Sequence, residues 1–188
     1  MVQERASASG ETRRWLAWLV IVLASGLGWM WLSRVPPGDI ALQRSAPQAG
    51  FLAPEWTLPQ LEGGTTSLRA LRGQPIVINF WASWCGPCRT EMPALQQVAS
   101  AHAEEGLVVL LVNQGESEET IARFRDQMGL TLPILLDKTL STAESYNVRA
   151  LPSTFFVDRE GRIQEVVIGG PMSDPYLSSR VESLLEGP

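Results

Sequence analysis

Cys85 and Cys88 are the only cysteines in the chain, and just Gly86 and Pro87 separate them. Thiols at that spacing close a small disulfide without moving the rest of a fold. A pair that opens and closes so easily carries two electrons. Two other chemistries compete for such a pair. A static bridge here would close a very short loop and gain little from chain entropy. A structural zinc ion needs a full tetrahedral set of ligands, and the chain adds a single histidine, His102, to its two cysteines. Reversible redox chemistry fits these residues better than either alternative. His102 falls near the far end of the helix that follows the cysteines and reads as a surface residue.

The surroundings must position this pair. The apolar run Ile76-Val77-Ile78-Asn79-Phe80-Trp81 directly precedes Trp84-Cys85-Gly86-Pro87-Cys88. It predicts a buried strand over 75–81, followed by a helix from Cys85 to about Ala103 that Pro93 interrupts. Cys85 then stands at a helix N-terminus, where unpaired N–H groups and the macrodipole favour an anion. A thiol of pKa about 8.5 is only about 3% thiolate at pH 7; lowering the pKa to about 7, a change of about 2 kcal/mol, makes half of it nucleophilic. Cys85 is thus the expected attacking thiol. Cys88, one turn inward, is the expected resolving thiol that breaks a mixed disulfide.

The rest of the chain supplies a scaffold. Trp56-Thr57-Leu58 and Thr65-Thr66-Ser67 flank Gly63-Gly64 and predict a short N-terminal β-hairpin. A continuous apolar strand is expected over 107–112 and a short strand over 133–136. Ser117 caps an amphipathic helix over 117–128, with Ile121 and Phe124 inward. Ser141-Thr142-Ala143-Glu144 fits a capping box. Two strands, 153–157 and 162–168, flank the turn Asp158-Arg159-Glu160-Gly161. Ser173-Asp174-Pro175 opens the last helix. Strands alternating with helices, closed by an antiparallel hairpin and a helix, predict an α/β fold: a mixed central sheet flanked by helices.

Ahead of this domain, Trp15 to Leu32 carries no charge. As a helix it would span about 27 Å, close to the hydrocarbon core of a bilayer. Tryptophans stand at both ends, and Arg5, Arg13 and Arg14 precede the run. This predicts a cytoplasmic tail over 1–14, a transmembrane anchor over 15–33, a Pro/Gly-containing linker over 34–48 and an extracytoplasmic domain over 49–188, with a signal peptide cleaved near Ala24-Ser25-Gly26 as the alternative to the anchor. The formal net charge of −5 argues against a nucleic-acid surface.

The stretch from Asn79 to Pro93, with Ala53-Pro54-Glu55-Trp56-Thr57-Leu58 before it and Ala150-Leu151-Pro152-Ser153-Thr154-Phe155-Phe156-Val157-Asp158 after it, resembles thioredoxin-fold proteins. More narrowly, it resembles the membrane-anchored TlpA/ResA-like thiol-disulfide reductases of bacteria. The likeness covers essentially all of 49–188. It implies a cis Pro152 facing the cysteine pair, and Leu151 offering backbone groups to an incoming peptide. Trp84, Gly86, Pro87 and Leu151 are the residues expected to touch a client. Plain thioredoxins place a buried Asp in the strand before the motif; here Asn79, which takes no proton, stands there. The resembling group has a Glu three residues after the inner cysteine. Glu91 occupies that position, on the same helix face as Cys88, and is the expected base or tuning group for it. The chain from Cys88 to Pro152 also exceeds a plain thioredoxin by about one strand–helix unit, placed within 115–137.

The resemblance implies a protein-disulfide oxidoreductase with no cofactor beyond its own redox-active disulfide and no metal. Gly86-Pro87 is the pair of reducing thioredoxins, so client reduction is the expected direction. Clients would be extracytoplasmic proteins with unwanted disulfides, apocytochrome c or proteins of copper-site assembly among them. A membrane-embedded thiol donor would have to supply the electrons. A peroxiredoxin-like peroxidase and a Cu(I) metallochaperone holding copper between two thiolates are the rival functions.

Overall fold

The computed structural model describes residues 8–32 and 45–187. The chain divides into two units, Met1–Ile40 and Ala41–Pro188. In the first, helix α1 (Ala8–Leu32) carries exposed apolar side chains that include Trp15, Trp18, Leu19, Val22 and Trp29. Among the described residues no helix is long and apolar enough to cross a membrane, so the anchor expected over 15–33 finds no support in the structure. The helix also begins inside the expected cytoplasmic tail and takes in Glu11, Arg13 and Arg14. Residues 1–7 of that tail and 34–44 of the expected linker lie outside the described residues.

The second unit opens with β1 (Thr57–Pro59) and β2 (Thr65–Ser67), an antiparallel pair turned by Gly63 and Gly64, both at positive φ. There follow β3 (Ile76–Trp81), α2 (Gly86–Ala101), β4 (Val108–Gln114), α3 (Glu118–Met128) and β5 (Ile134–Asp137). The chain closes with α4 (Ser141–Ser145), β6 (Ser153–Val157), β7 (Ile163–Ile168) and α5 (Asp174–Glu186). The five-stranded sheet has the order β5-β4-β3-β6-β7. β3, β4 and β5 are parallel, while β6 runs antiparallel to β3 and β7 antiparallel to β6. This is the mixed sheet expected from the alternation. In place of the strand–helix unit expected within 115–137, the chain forms the helix α3 first and then the edge strand β5.

β3 is buried along its whole length because it lies at the centre of the sheet. Alternate residues serve opposite faces. Val77 and Trp81 join Leu95, Val98, Ile121, Phe124, Leu177 and Val181, so α2, α3 and α5 cover one face. Ile76, Ile78 and Phe80 join Trp56, Leu58, Leu68, Ala143 and Tyr146, so the β1–β2 hairpin and the short α4 cover the other. Each such large apolar side chain contributes roughly 1.5–3 kcal/mol on burial.

Two local expectations are corrected. Helix α2 runs through Pro93 without interruption and ends at Ala101, with His102 as its C-cap. Proline there removes one backbone bond, yet Glu91, Met92, Ala94, Leu95 and Val98 are all buried along the same helix and hold it to the sheet. The capping box at Ser141 does not form. Leu140 is the N-cap residue of α4, in the left-handed region, with no side-chain cap bond of its own. The Asp137 carboxylate, at the end of β5, instead accepts from Thr142 N (3.3 Å) and Ala143 N (2.8 Å). The Ser117 cap of α3 does form, with Oγ accepting from Thr120 N at 3.2 Å.

Candidate active site

Strand β3 delivers the chain to the end of the sheet where it breaks into the Ala82–Trp84 loop and then α2. Cys85 is the N-cap residue of α2, and its Sγ accepts from Cys88 N at 3.2 Å. Cys85 and Cys88 are joined as a disulfide, with their Cα atoms 5.3 Å apart. The outer residue, Cys85, keeps 4% of its surface exposed, whereas Cys88 keeps none. The outer sulfur is therefore the one an incoming client can approach. Once the bond opens, the N–H groups of the first helical turn favour a thiolate there. Trp84, 73% exposed, stands immediately before it, and Gly86 and Pro87 are exposed immediately after.

Phe80 pairs with Ser153 across β3 and β6. That register brings the start of β6, and with it Leu151 and Pro152, to the cysteine end of the sheet. The Leu151–Pro152 bond is cis, Pro152 is buried and Leu151 is half-buried. Glu91 lies one turn beyond Cys88 with no exposed surface. Its Oε1 accepts from Asn79 Nδ2 at 2.7 Å and its Oε2 from Met172 N at 3.2 Å. Asn79 Nδ2 also donates to Thr154 Oγ1 at 2.9 Å, so β3 and β6 jointly aim this amide at the carboxylate. Burial pushes the Glu91 carboxyl above its ordinary value, and the bonds from Met172 and then Asn79 pull it back in part.

Two features escaped the sequence reading. The loop Gly169-Gly170-Pro171 closes over Glu91 and contains a second cis bond, Gly170–Pro171. A Cβ added at Gly170 would stand 2.9 Å from both Glu91 Oε2 and Pro152 Cγ, so the backbone there packs directly on the buried carboxyl and the proline. The Gly-Gly-Pro run was the available signal. The other feature is Glu116, after β4, which accepts hydrogen bonds from Ser83 in the loop that leads into the motif.

A helix-capping cysteine disulfide-bonded one turn inward, on a β3-α2-β4 scaffold closed by an antiparallel β6–β7 pair, defines a thioredoxin-fold thiol-disulfide oxidoreductase. Comparison with known proteins bears this out. Residues 49–166 match the AhpC/TSA family. The chain is 35% identical over 152 residues to the thiol-disulfide oxidoreductase ResA of Halalkalibacterium halodurans, covering 81% of this chain and 84% of that one. It is 35% identical over 161 residues to the thioredoxin-like protein YneN of Bacillus subtilis, covering 84% and 91%. Among solved structures, a secreted Mycobacterium tuberculosis disulfide oxidoreductase homologous to E. coli DsbE superposes with a TM-score of 0.62 at 28% identity, over 68% of this chain and 94% of that one. The chain belongs to the AhpC/TSA family, among its ResA-like thiol-disulfide oxidoreductases, and it is a protein-disulfide oxidoreductase.

Proposed function

We propose that this oxidoreductase works outside the cytoplasm and reduces disulfides in client proteins. The observation that carries the reading is the pairing of a nearly buried helix-capping Cys85 with a fully buried Cys88, one turn from the buried Glu91. In the reduced enzyme the Cys85 thiolate attacks one sulfur of a client disulfide. The client S–S bond breaks, its other sulfur leaves as a thiolate and takes a proton, and a mixed disulfide joins the client to Cys85. Cys88 then gives its proton to Glu91 and attacks Cys85 Sγ. The client's second sulfur leaves and is protonated in turn, and the Cys85–Cys88 bond re-forms. Two electrons and two protons have passed to the client. Leu151, Trp84, Gly86 and Pro87 form the surface the client meets, and Pro152 borders it.

The Gly86-Pro87 pair supports the reducing direction. With a potential near the thioredoxin value of about −270 mV, reduction of a client disulfide whose own potential is as high as the about −120 mV of a strong periplasmic oxidant is favoured by about 7 kcal/mol for two electrons. The uncharged run Trp15–Leu32 and the arginines before it support an anchored, extracytoplasmic domain. A reductant in that compartment draws its electrons from a membrane-embedded thiol donor. Apocytochrome c and copper-site proteins are the client classes to test first.

The test is a redox titration combined with insulin reduction. The proposal expects a potential well below about −150 mV and catalytic turnover of insulin disulfides. A higher potential overturns the direction of electron flow. Tight copper binding, or peroxide consumption, without insulin reduction overturns the function in favour of a metallochaperone or a peroxidase.

A further inference from the structure

We propose that Glu116 is a positioning residue that fixes the client-facing loop before Cys85. The observation is a clamp of four hydrogen bonds on Glu116, two of which tie it to Ser83, far away in sequence, and two to Asn113 in its own segment. Ser83 N donates to Glu116 Oε2 at 2.7 Å and Ser83 Oγ to Glu116 Oε1 at 2.5 Å. Asn113 Nδ2 donates to Glu116 Oε2 at 2.7 Å, and Glu116 N donates back to Asn113 Oδ1 at 3.1 Å. Asn113 is itself fully buried and pairs with Trp81 across β4 and β3. The clamp is thus anchored in the rigid centre of the sheet and reaches out to the half-buried Ser83.

Gly115 makes this reach possible. It sits at φ +71°, and its N–H bonds to Asn113 O at 3.2 Å, so the chain turns back at once after β4. A Cβ there would meet Leu140 Cδ2 at 3.2 Å as well as forcing a side chain into the left-handed region. Ser83 stands next to Trp84, which is 73% exposed, and Trp84 next to Cys85. Glu116 touches neither the sulfurs nor a client. It acts through Ser83, holding Trp84 and the entry to Cys85 in one orientation, so that a client docks against a preformed surface. Glu116 lies just ahead of the Ser117 cap of α3, which gives the α3–β5 segment a role in client recognition.

The inference rests on the reading that Cys85 attacks protein disulfides. Its test compares reduced wild-type, Glu116→Gln, Glu116→Ala and Ser83→Ala proteins, each oxidised by insulin and by the small aromatic disulfide DTNB. Gln keeps the clamp: its Oε1 accepts from Ser83 N and Asn113 Nδ2, and its Nε2 donates to Ser83 Oγ. Glu116→Gln therefore stays within about twofold of wild type on both oxidants, whereas Glu116→Ala loses about tenfold in kcat/KM on insulin, carried by KM, and less than about twofold on DTNB. Ser83→Ala, which keeps only the backbone bond, loses about threefold on insulin and keeps the inference testable if Glu116→Ala does not fold. Equal losses on both oxidants, an unchanged Glu116→Ala, or a Glu116→Gln as impaired as Glu116→Ala each overturn it. Failure of the underlying reading looks different: wild type itself leaves insulin untouched.

Discussion

At the scale of single residues, the buried Glu91 couples the stability of the fold to pH. Its carboxyl is fully buried, accepts one N–H at each oxygen, and is held above the ordinary carboxylate value chiefly by burial. The folded chain therefore binds this proton more tightly than the unfolded chain. The contribution of Glu91 to stability is fully present below the unfolded carboxylate pKa and is lost as pH rises through the raised folded value. Glu91→Gln has no such proton to lose. Its stability relative to wild type should rise with pH across that window and then level off, as read from urea midpoints at successive pH values; parallel curves would contradict the burial argument. The same substitution should slow resolution of the mixed disulfide by about a hundredfold, the usual contribution of a positioned base, as followed by rapid-quench kinetics. An unchanged pH dependence of resolution would end the role of Glu91 as base. The cysteine pair was legible because its residue type and spacing carry the chemistry, whereas Pro152 and Glu91 were singled out through the family resemblance. Glu116 was not: it meets Ser83 across 33 positions, through a parallel-strand register that no local pattern encodes.

At the scale of elements, the helix ends explain where local patterns held and where they failed. Ser117 caps α3 as its sequence context indicates. Ser141 offers the same pattern at α4, yet Asp137 takes the cap, because β5 ends pointing its buried carboxylate at the first N–H groups of the helix. Asp137→Ala should cost about 1–2 kcal/mol, while Ser141→Ala should stay within about 0.5 kcal/mol, both by chemical denaturation. The reverse order would restore the capping box. The β7–α5 loop supplies a second element-scale test. Gly170→Ala places a methyl against Glu91 Oε2 and Pro152 Cγ. The expected loss is about 1–3 kcal/mol, as for other overpacked sites, together with slower resolution of the mixed disulfide. Native stability in that variant would mean that the loop yields easily. Pro93 teaches the converse lesson: a residue that ends helices in isolation is tolerated in α2, where so much of the helix is buried.

At the scale of the whole molecule, the order of apolar strands and amphipathic helices was enough to give a mixed sheet, and β5-β4-β3-β6-β7 realises it. Composition was less informative about how the second face is covered, because Leu58 of β1 and Trp56 just before it join that cluster through long-range packing rather than periodicity. The sheet brings two discontinuous segments, the β3–α2 turn and the start of β6, to the same end of its two adjacent interior strands, with Asn79 bonded to Glu91 nearby. That arrangement leaves Cys85 with a small exposed surface and Cys88 with none. In the proposed cycle Cys85 attacks client disulfides and Cys88 releases them. Its most direct measurement is the adduct formed when the Cys88→Ser protein meets an oxidised protein substrate, read by intact-mass spectrometry and peptide mapping. The account predicts a stable, stoichiometric mixed disulfide at Cys85 that is absent from Cys85→Ser. No adduct at an accessible, reduced Cys85 would contradict it.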